Sequence, residues 1–331
     1  PRPWVVCVHG SGMGTPLVNL SAFPIGLLHE ELGLNVLLPC LPLHGDRSST
    51  RMRGGGILAP FIAPECGENK VLSFDMGGTT AKICLIDDYK PHTARLFEVD
   101  RAARFLKGSG LPVRIPVIEM VEIGAGGGSI ASMDAIGLLK VGPRSAGSQP
   151  GPAAYGLGGA EPTVTDADLL LGYLNPDYFA GGELALDVAA ARAAVDRLAR
   201  GLGLPPTQVA WGIHDVVNES MASAARVHIA ERGRDPRHYG LLCTGGAGPV
   251  HAWSLARKLG MARVICPPSA GVASALGLLV APARVDRVAT VGLRLDEGSV
   301  GALEAAFRRL EDEARAVMAD TGLPLGRATI Q

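Results

Sequence analysis

The stretch that decides the fold is Lys70-Val-Leu-Ser-Phe-Asp-Met-Gly-Gly-Thr-Thr-Ala-Lys-Ile-Cys-Leu-Ile-Asp87. Two short apolar, β-rich runs flank its Gly-Gly-Thr-Thr centre, a pattern that predicts a strand, a tight turn and a returning strand. Glycines let backbone N–H groups approach phosphate oxygens, and neighbouring hydroxyls add donors. The carboxylate of Asp75 ends the first strand, where it can hold Mg²⁺ or orient a water. The alternative is a plain hairpin in which Asp75 only starts the turn.

Composition indicates a globular protein and argues against a nucleic-acid or membrane partner. The chain has 331 residues, of which 47% are hydrophobic and 19% charged, enough for two domains with a substantial core. Its formal net charge is −1 and no block of Lys or Arg stands out, which predicts neither a nucleic-acid nor a membrane partner. Its six cysteines form no C-x-x-C pair, which favours reduced core thiols in a cytoplasmic protein.

Residues 1–46 are predicted to form a unit of their own. A strand (Trp4–Val8), a glycine loop (His9–Gly14), a helix (about Ala22–Leu32) and a second strand (Asn35–Leu38) follow one another, as in α/β proteins. The loop resembles the His-Gly turn of α/β-hydrolases, whose N–H groups line an oxyanion hole. A serine hydrolase also needs a G-x-S-x-G elbow, and the sequence contains none. We expect this segment to be an appendage that does not complete the main sheet.

Three further segments follow the appendage. Residues 47–68 contain Ser, Arg and three consecutive glycines, which predicts a linker or junction. Residues 69–290 have a continuous α/β pattern and are predicted to form the main domain. Residues 291–331 carry an amphipathic helix over Leu303–Val317. Because the chain starts on Pro and stops soon after this helix, we expect it to be a fragment.

Two more glycine-rich stretches are candidate ligand loops. Gly126, Gly127, Gly128 and Ser129 can approach an anion, or they form a flexible turn between strands. An apolar strand runs into Gly245-Gly-Ala-Gly-Pro249 and a helix follows at once, an arrangement in which a nucleotide lies against backbone N–H groups and the helix dipole. Pro249 fits the first helical turn. The neighbouring His251 is either a helix-start residue or a ligand or base.

Helical periodicity predicts three further helices. Leu186–Leu202 and Trp211–Arg232 have helical periodicity, and we expect a short helix after Pro162 with Thr165 or Asp166 as its N-cap. The longest of these helices has an apolar stripe that predicts close packing: Ile213, Val217, Met221, Ala224 and Val227.

Six segments in this order resemble the hydantoinase A/ATP-dependent 5-oxoprolinase family, which includes acetone and acetophenone carboxylase subunits. They are Phe74–Lys82, Glu122–Ser129, Gly142–Gly147, Pro162–Ala167, Glu231–Pro236 and Gly245–Pro249. The resemblance covers residues 69 to about 290. It implies an α/β, actin/hexokinase-like (ribonuclease-H-like) lobe, with ATP in a cleft between two lobes. By resemblance, Asp75 to Thr80 match the second phosphate motif and Gly245 to Pro249 the adenosine motif.

The resemblance also implies a chemistry. It predicts ATP and Mg²⁺ as cofactors, a cyclic amide substrate (5-oxoproline, a hydantoin or a similar lactam) and a hydantoinase B-like partner. Asp75 is the predicted catalytic residue and Mg²⁺ ligand. The predicted cofactor-binding residues are Gly77, Gly78, Thr79, Thr80, Gly126, Gly127, Gly128, Ser129, Gly245, Gly246, Gly248 and Pro249. The family's first phosphate motif is a second D-x-G-G-T, and the sequence has only one. The alternative is therefore a catalytically silent nucleotide-binding or interaction fragment.

Overall fold

The computed structural model describes residues 4–7, 35–37, 59–94, 97–99, 110–113, 117–268, 270–273, 285–292 and 297–320. The strands are β1 Trp4–Cys7, β2 Asn35–Leu37, β3 Lys70–Met76, β4 Ala81–Asp87, β5 Lys90–Pro91, β6 Thr93–Ala94, β7 Phe97–Val99, β8 Leu111–Val113, β9 Val117–Ile118, β10 Met120–Ile123, β11 Ser129–Met133, β12 Leu139–Ser145, β13 Gly240–Thr244 and β14 Arg263–Cys266. The α-helices are α1 Ala59–Glu65, α2 Val164–Leu170, α3 Val188–Leu202, α4 Pro206–Ala230, α5 Gly248–Leu259 and α6 Val300–Asp320.

The main sheet is mixed, with strand order β10-β4-β3-β13-β14-β1-β2 and β5 paired to β4. Strands β3, β13, β14, β1 and β2 pair in parallel, whereas β4 pairs antiparallel with both β3 and β10, so β10 runs in the same direction as β3. The predicted hairpin is confirmed, because β3 and β4 pair along their whole length around the Gly-Gly-Thr-Thr turn. Phe74 and Met76 of β3 are fully buried, so this strand is part of the core.

The expectation that residues 1–46 leave the main sheet uncompleted is wrong. Strand β1 pairs in parallel with β14, and β2 extends the sheet beyond it. The apolar sequence Trp-Val-Val-Cys of β1 suits a strand between two parallel neighbours, which tends to be apolar throughout. The predicted loop His9–Gly14 and helix Ala22–Leu32 lie outside the described residues, and the boundary before residue 69 stays a prediction. The predicted linker contains helix α1, with Ile62 and Ala63 buried.

Helix α4 is the centre of the helical layer and packs against α2, α3 and α5. Most of the predicted stripe is confirmed, since Ile213, Val217, Met221 and Ala224 are buried. The prediction for Val227 is wrong, because its side chain is 40% exposed and His228 is buried instead. Residue 228 lies four positions after residue 224 and seven after residue 221, so the 3.6-residue period of the helix places it on the same buried face.

Helix α2 begins earlier than predicted. Its N-cap is Thr163, not Thr165 or Asp166, and Asp166 at N3 completes a capping box. The carboxylate of Asp166 accepts hydrogen bonds from Thr163 N (2.9 Å), Thr163 Oγ1 (2.8 Å) and Ala154 N (2.7 Å). Burial raises the pKa of Asp166, although these hydrogen bonds act in the opposite direction. The prediction of Thr165 or Asp166 as the N-cap is therefore wrong, and Asp166 instead takes part in capping as the N3 residue of the box.

The chain divides into two compact units. The larger one comprises Pro1–Phe97 and Val117–Leu279, and the smaller one Glu98–Pro116 and Val280–Gln331. The smaller unit contains helix α6, which confirms the predicted C-terminal helix and extends it at both ends. Among the described residues, no helix is long and apolar enough to cross a membrane.

Candidate functional site

Asp75 lies at the carboxyl end of β3, beside the carboxyl end of the parallel strand β13. The sheet register pairs Asp75 with Thr244, and Thr244 Oγ1 donates to Asp75 Oδ2 at 3.0 Å. Asp75 is half-buried and Thr244 is buried. This contact orients the carboxylate at the edge where open α/β sheets place their ligands.

The loop that follows β13 packs directly on the end of β3. Ala247 N donates to Met76 O at 2.9 Å, and Gly245 N donates to Ala270 O at 2.8 Å. Gly245 has φ +83°, and a Cβ atom there would lie 2.3 Å from Met76 O. Only glycine fits this position. Helix α5 then starts at Gly248 with Pro249 in its first turn, as predicted.

The second glycine stretch supports the first. Gly127 N donates to Gly77 O at 3.0 Å, and Gly128 N donates to Gly78 O at 2.7 Å. The hydroxyl of Ser129 is buried and accepts from the N–H of residue 126 at 2.9 Å. These contacts give residues 126–129 a supporting role, and their direct contact with a ligand stays a prediction.

The three glycine stretches meet at one place. A Cβ atom on Gly127 would lie 3.8 Å from the Cβ of Ala247 and 2.8 Å from Thr165 Oγ1. A Cβ atom on Gly126 would lie 2.5 Å from Thr79 N. The structure therefore brings Asp75 and all three predicted loops together at one edge of the sheet.

Three exposed residues on this edge have backbone N–H groups that donate no hydrogen bond within the described part of the protein. They are Gly78, Thr79 and Gly246. Lys82 also lies at this edge, with its Nζ 3.1 Å from Thr80 Oγ1 and 3.6 Å from the carboxylate of Glu122. Exposed N–H groups, hydroxyls and a cation beside an oriented carboxylate are suited to binding phosphate groups.

A buried polar cluster behind these loops was missed by the sequence reasoning. Asp168 on α2, His214 on α4 and His251 on α5 are all nearly inaccessible to solvent. His214 Nδ1 lies 2.7 Å from Asp168 Oδ1, and His251 Nε2 lies 3.2 Å from Asp168 Oδ2. The interpretation of His251 as only a helix-start residue is therefore incomplete. The sequence feature that could have indicated this cluster is the histidine at position 214, a polar residue within an apolar helix.

The geometry of this cluster does not fit a bound metal ion. An ion shared by His214 and His251 must lie in the plane of both rings. The two rings instead stack, with centroids 4.8 Å apart and planes 18° apart, so their in-plane lone pairs do not converge. The cluster is a buried polar contact among three helices, in which His214 is hydrogen-bonded to Asp168.

Gly126→Ala and Gly78→Ala form a matched pair that tests the packing of the loops. The methyl group at position 126 would lie 2.5 Å from Thr79 N and 2.6 Å from Gly78 O, so we expect a loss of stability of roughly 2–3 kcal/mol. The methyl group at position 78 meets nothing within 4 Å, so its effect on stability is expected to stay within about 0.5 kcal/mol. Urea unfolding measures both, and equal stabilities would contradict the described contact.

Comparison with solved structures defines the class of protein. The chain superimposes on acetone carboxylase in its nucleotide-free structure with TM-score 0.66 and 27% identity, covering 82% of this chain and 38% of the other. It superimposes on the ATP-dependent caprolactamase of Pseudomonas jessenii with TM-score 0.62 and 32% identity, covering 96% and 47%. The fold is that of the actin/hexokinase-like lobe, as predicted.

Sequence comparison then identifies the family. The profile of the hydantoinase/oxoprolinase family matches residues 53–287, more than half of the chain, so the chain belongs to this family. The chain is 37% identical to caprolactamase subunit alpha of Pseudomonas jessenii over 93% of its own length and 45% of the relative. It spans less than half the length of each of these relatives.

Proposed function

We propose that this chain carries the nucleotide site of an ATP-dependent enzyme that opens a cyclic amide by phosphorylating its oxygen. One observation carries the proposal: Asp75, the Gly77–Thr80 turn and the Gly245–Pro249 loop lie together at the carboxyl ends of β3 and β13. The relative described as an ATP-dependent caprolactamase supports it.

Phosphoryl transfer would overcome the low reactivity of a cyclic amide towards water. Resonance stabilises an unstrained amide, so water attacks it slowly. Once the amide oxygen has taken the γ-phosphoryl group from ATP and ADP has left, the carbon is activated and water can add to it. Such a transfer depends on positioned donors and charges more than on a covalent nucleophile.

The described contacts suggest a division of roles. The exposed N–H groups of Gly78 and Thr79 would bind phosphate oxygens, and that of Gly246 would contact the nucleotide near the start of α5. Asp75, held by Thr244, would orient the attacking group. A half-exposed carboxylate is the hard oxygen ligand that Mg²⁺ prefers, so Asp75 also fits Mg²⁺, which would neutralise phosphate charge when bound.

We further propose that turnover needs a hydantoinase B-like partner. The chain covers 45% of caprolactamase subunit alpha, whose name itself describes one subunit of an assembly. The names of the relatives, caprolactamase and acetone carboxylase, indicate different substrates.

Calorimetric titration of the purified chain with ATP and Mg²⁺ is the first test, and we expect saturable binding that is weaker without Mg²⁺. ATP hydrolysis is then measured with and without a hydantoinase B-like partner, in the presence of 5-oxoproline, a hydantoin or caprolactam. Substrate-stimulated hydrolysis with the partner is the expected result. Binding without any turnover would favour the silent-fragment alternative, and the absence of both would contradict the proposal.

A further inference from the structure

Two cysteines lie side by side at the carboxyl ends of neighbouring strands. Cys243 is one residue from the end of β13, and Cys266 is the last residue of β14. The parallel register aligns Leu241–Leu242 with Val264–Ile265, so the residue that follows in each strand is a cysteine. The Sγ atoms of Cys243 and Cys266 are 2.9 Å apart, and the two thiols are therefore in direct contact.

The alignment of these two residues suits a disulfide bond. Side chains alternate between the two faces of a sheet, so residues aligned on neighbouring strands lie on the same face. Neighbouring strands are about 4.8 Å apart, which falls within the range of about 4.4–6.8 Å between the Cα atoms of bonded cysteines. Both thiols also pack against the same apolar core. Cys243 and Cys266 can therefore be joined without a change in the pairing of β13 and β14.

The two thiols differ in their access to solvent, which assigns them different roles. Cys266 is partly exposed, whereas Cys243 is fully buried. An accessible thiolate is the group that reacts with an oxidant, and a neighbouring thiol then resolves the product. Cys266 therefore meets the oxidant first, and Cys243 is the resolving thiol.

Hydrogen peroxide supplies the oxidising equivalents for a disulfide at this position. The thiolate of Cys266 attacks one peroxide oxygen, the O–O bond breaks, and the departing hydroxide takes up a proton to leave as water. The sulfur of Cys243 then attacks the resulting sulfenic acid, so that the S–S bond forms, the S–O bond breaks and a second water leaves. The two thiols together lose two electrons and two protons, and dithiothreitol returns them through thiol–disulfide exchange.

The cysteine pair lies next to the loop of the candidate nucleotide site. Cys243 directly precedes Thr244, whose hydroxyl holds the carboxylate at the end of β3. The chain that follows Cys266 supports the same loop, because Gly245 N donates to Ala270 O at 2.8 Å. A covalent bond between the two sulfurs draws together the two strand ends that carry these contacts.

We propose that Cys243 and Cys266 are a reversible oxidation site, whose disulfide forms in the presence of a peroxide and displaces the Gly245–Pro249 loop from the geometry that binds a nucleotide. Positioned groups tolerate little displacement, since a shift of about 1 Å can cost about 10²-fold in rate. The effect on ATP rests on the proposed function. The disulfide itself can be measured without any ligand.

The bond is tested by treating the purified chain with limited hydrogen peroxide, digesting it without reductant and analysing the peptides by mass spectrometry. We expect a peptide pair linked through Cys243 and Cys266, and a loss of two thiols from the six of the reduced chain, both reversed by dithiothreitol. Cys66→Ser replaces another partly exposed thiol and is expected to leave the link intact. The register also places Cys7 beside Cys266, so a bond between those two would overturn the inference, as would the recovery of no linked peptide.

The effect on the loop is tested by calorimetric titration of the reduced and the oxidised chain with ATP and Mg²⁺. We expect roughly tenfold weaker binding by the oxidised chain and full recovery after dithiothreitol, as for the loss of one hydrogen bond to a charged group. Cys266→Ser cannot form the bond and is expected to bind ATP equally before and after peroxide. If Cys266→Ser does not fold, Cys243→Ala takes its place, since it also removes one sulfur of the pair.

Two outcomes separate this inference from the proposed function. A linked chain whose affinity for ATP is unchanged would overturn the effect on the loop, although the proposed function would stand. A reduced chain that binds no ATP, yet forms the bond between Cys243 and Cys266, would contradict the proposed function and leave the oxidation site supported.

Discussion

Asp75→Asn is expected to lower the kcat of ATP-dependent turnover by about 10²–10³-fold while changing the affinity for ATP much less. The substitution keeps the size of the side chain and the geometry of the turn but removes its charge. A charge that acts mainly in the transition state contributes to rate rather than to ground-state binding. Steady-state kinetics of the assembled enzyme and calorimetry of the chain measure the two quantities.

Two substitutions of neighbouring threonines are expected to lower kcat less than Asp75→Asn does, and they serve as comparisons. Thr244→Val removes the hydroxyl that donates to Asp75 Oδ2 at 3.0 Å and is expected to lower kcat by about tenfold, because the carboxylate stays but loses its orientation. Thr79→Ala removes one neutral hydroxyl and is also expected to have a smaller effect than Asp75→Asn. Full activity of the Asp75→Asn enzyme would count decisively against the proposed role.

The local parts of this site were predictable from sequence. Each candidate loop occupies fewer than ten consecutive residues, and its glycines follow an apolar strand, so strand, turn and helix start are all visible in the Gly77–Thr80 and Gly245–Pro249 segments. Parallel strands then bring such loops to one edge of the sheet. Glycines 127 and 128 approach the carbonyls of Gly77 and Gly78, whereas the predicted approach of this stretch to an anion stays a prediction.

The long-range parts of the fold were not predictable in this way. The composition changes sharply between Arg47 and Gly56, which indicates a junction along the chain but says nothing about strand pairing. Strand β1 pairs with β14, more than 250 positions later, and only the folded sheet reveals that partner. The Asp168 cluster was missed for the same reason, because three helices must pack before its side chains meet.

Gly245→Ala is expected to be the most destabilising single methyl substitution at the site. The left-handed backbone at φ +83° costs a non-glycine residue about 1–2 kcal/mol, and the added Cβ atom would overlap Met76 O. Relief of that overlap requires the loop to separate from β3, so we expect a total loss of roughly 3–5 kcal/mol in the free energy of unfolding. Urea unfolding of the purified chain measures this loss.

Gly246→Ala is the control, because position 246 has no positive φ and its added methyl group meets nothing within 4 Å. Its stability is expected to equal or slightly exceed that of the wild-type protein, as for other glycines replaced at compatible sites. Its affinity for ATP is nevertheless expected to fall, because the methyl group would stand beside the exposed N–H group proposed to meet the nucleotide. Wild-type stability of Gly245→Ala would show that the loop does not pack on Met76. Wild-type affinity of Gly246→Ala would show that the nucleotide does not approach this loop, even if the packing is correct.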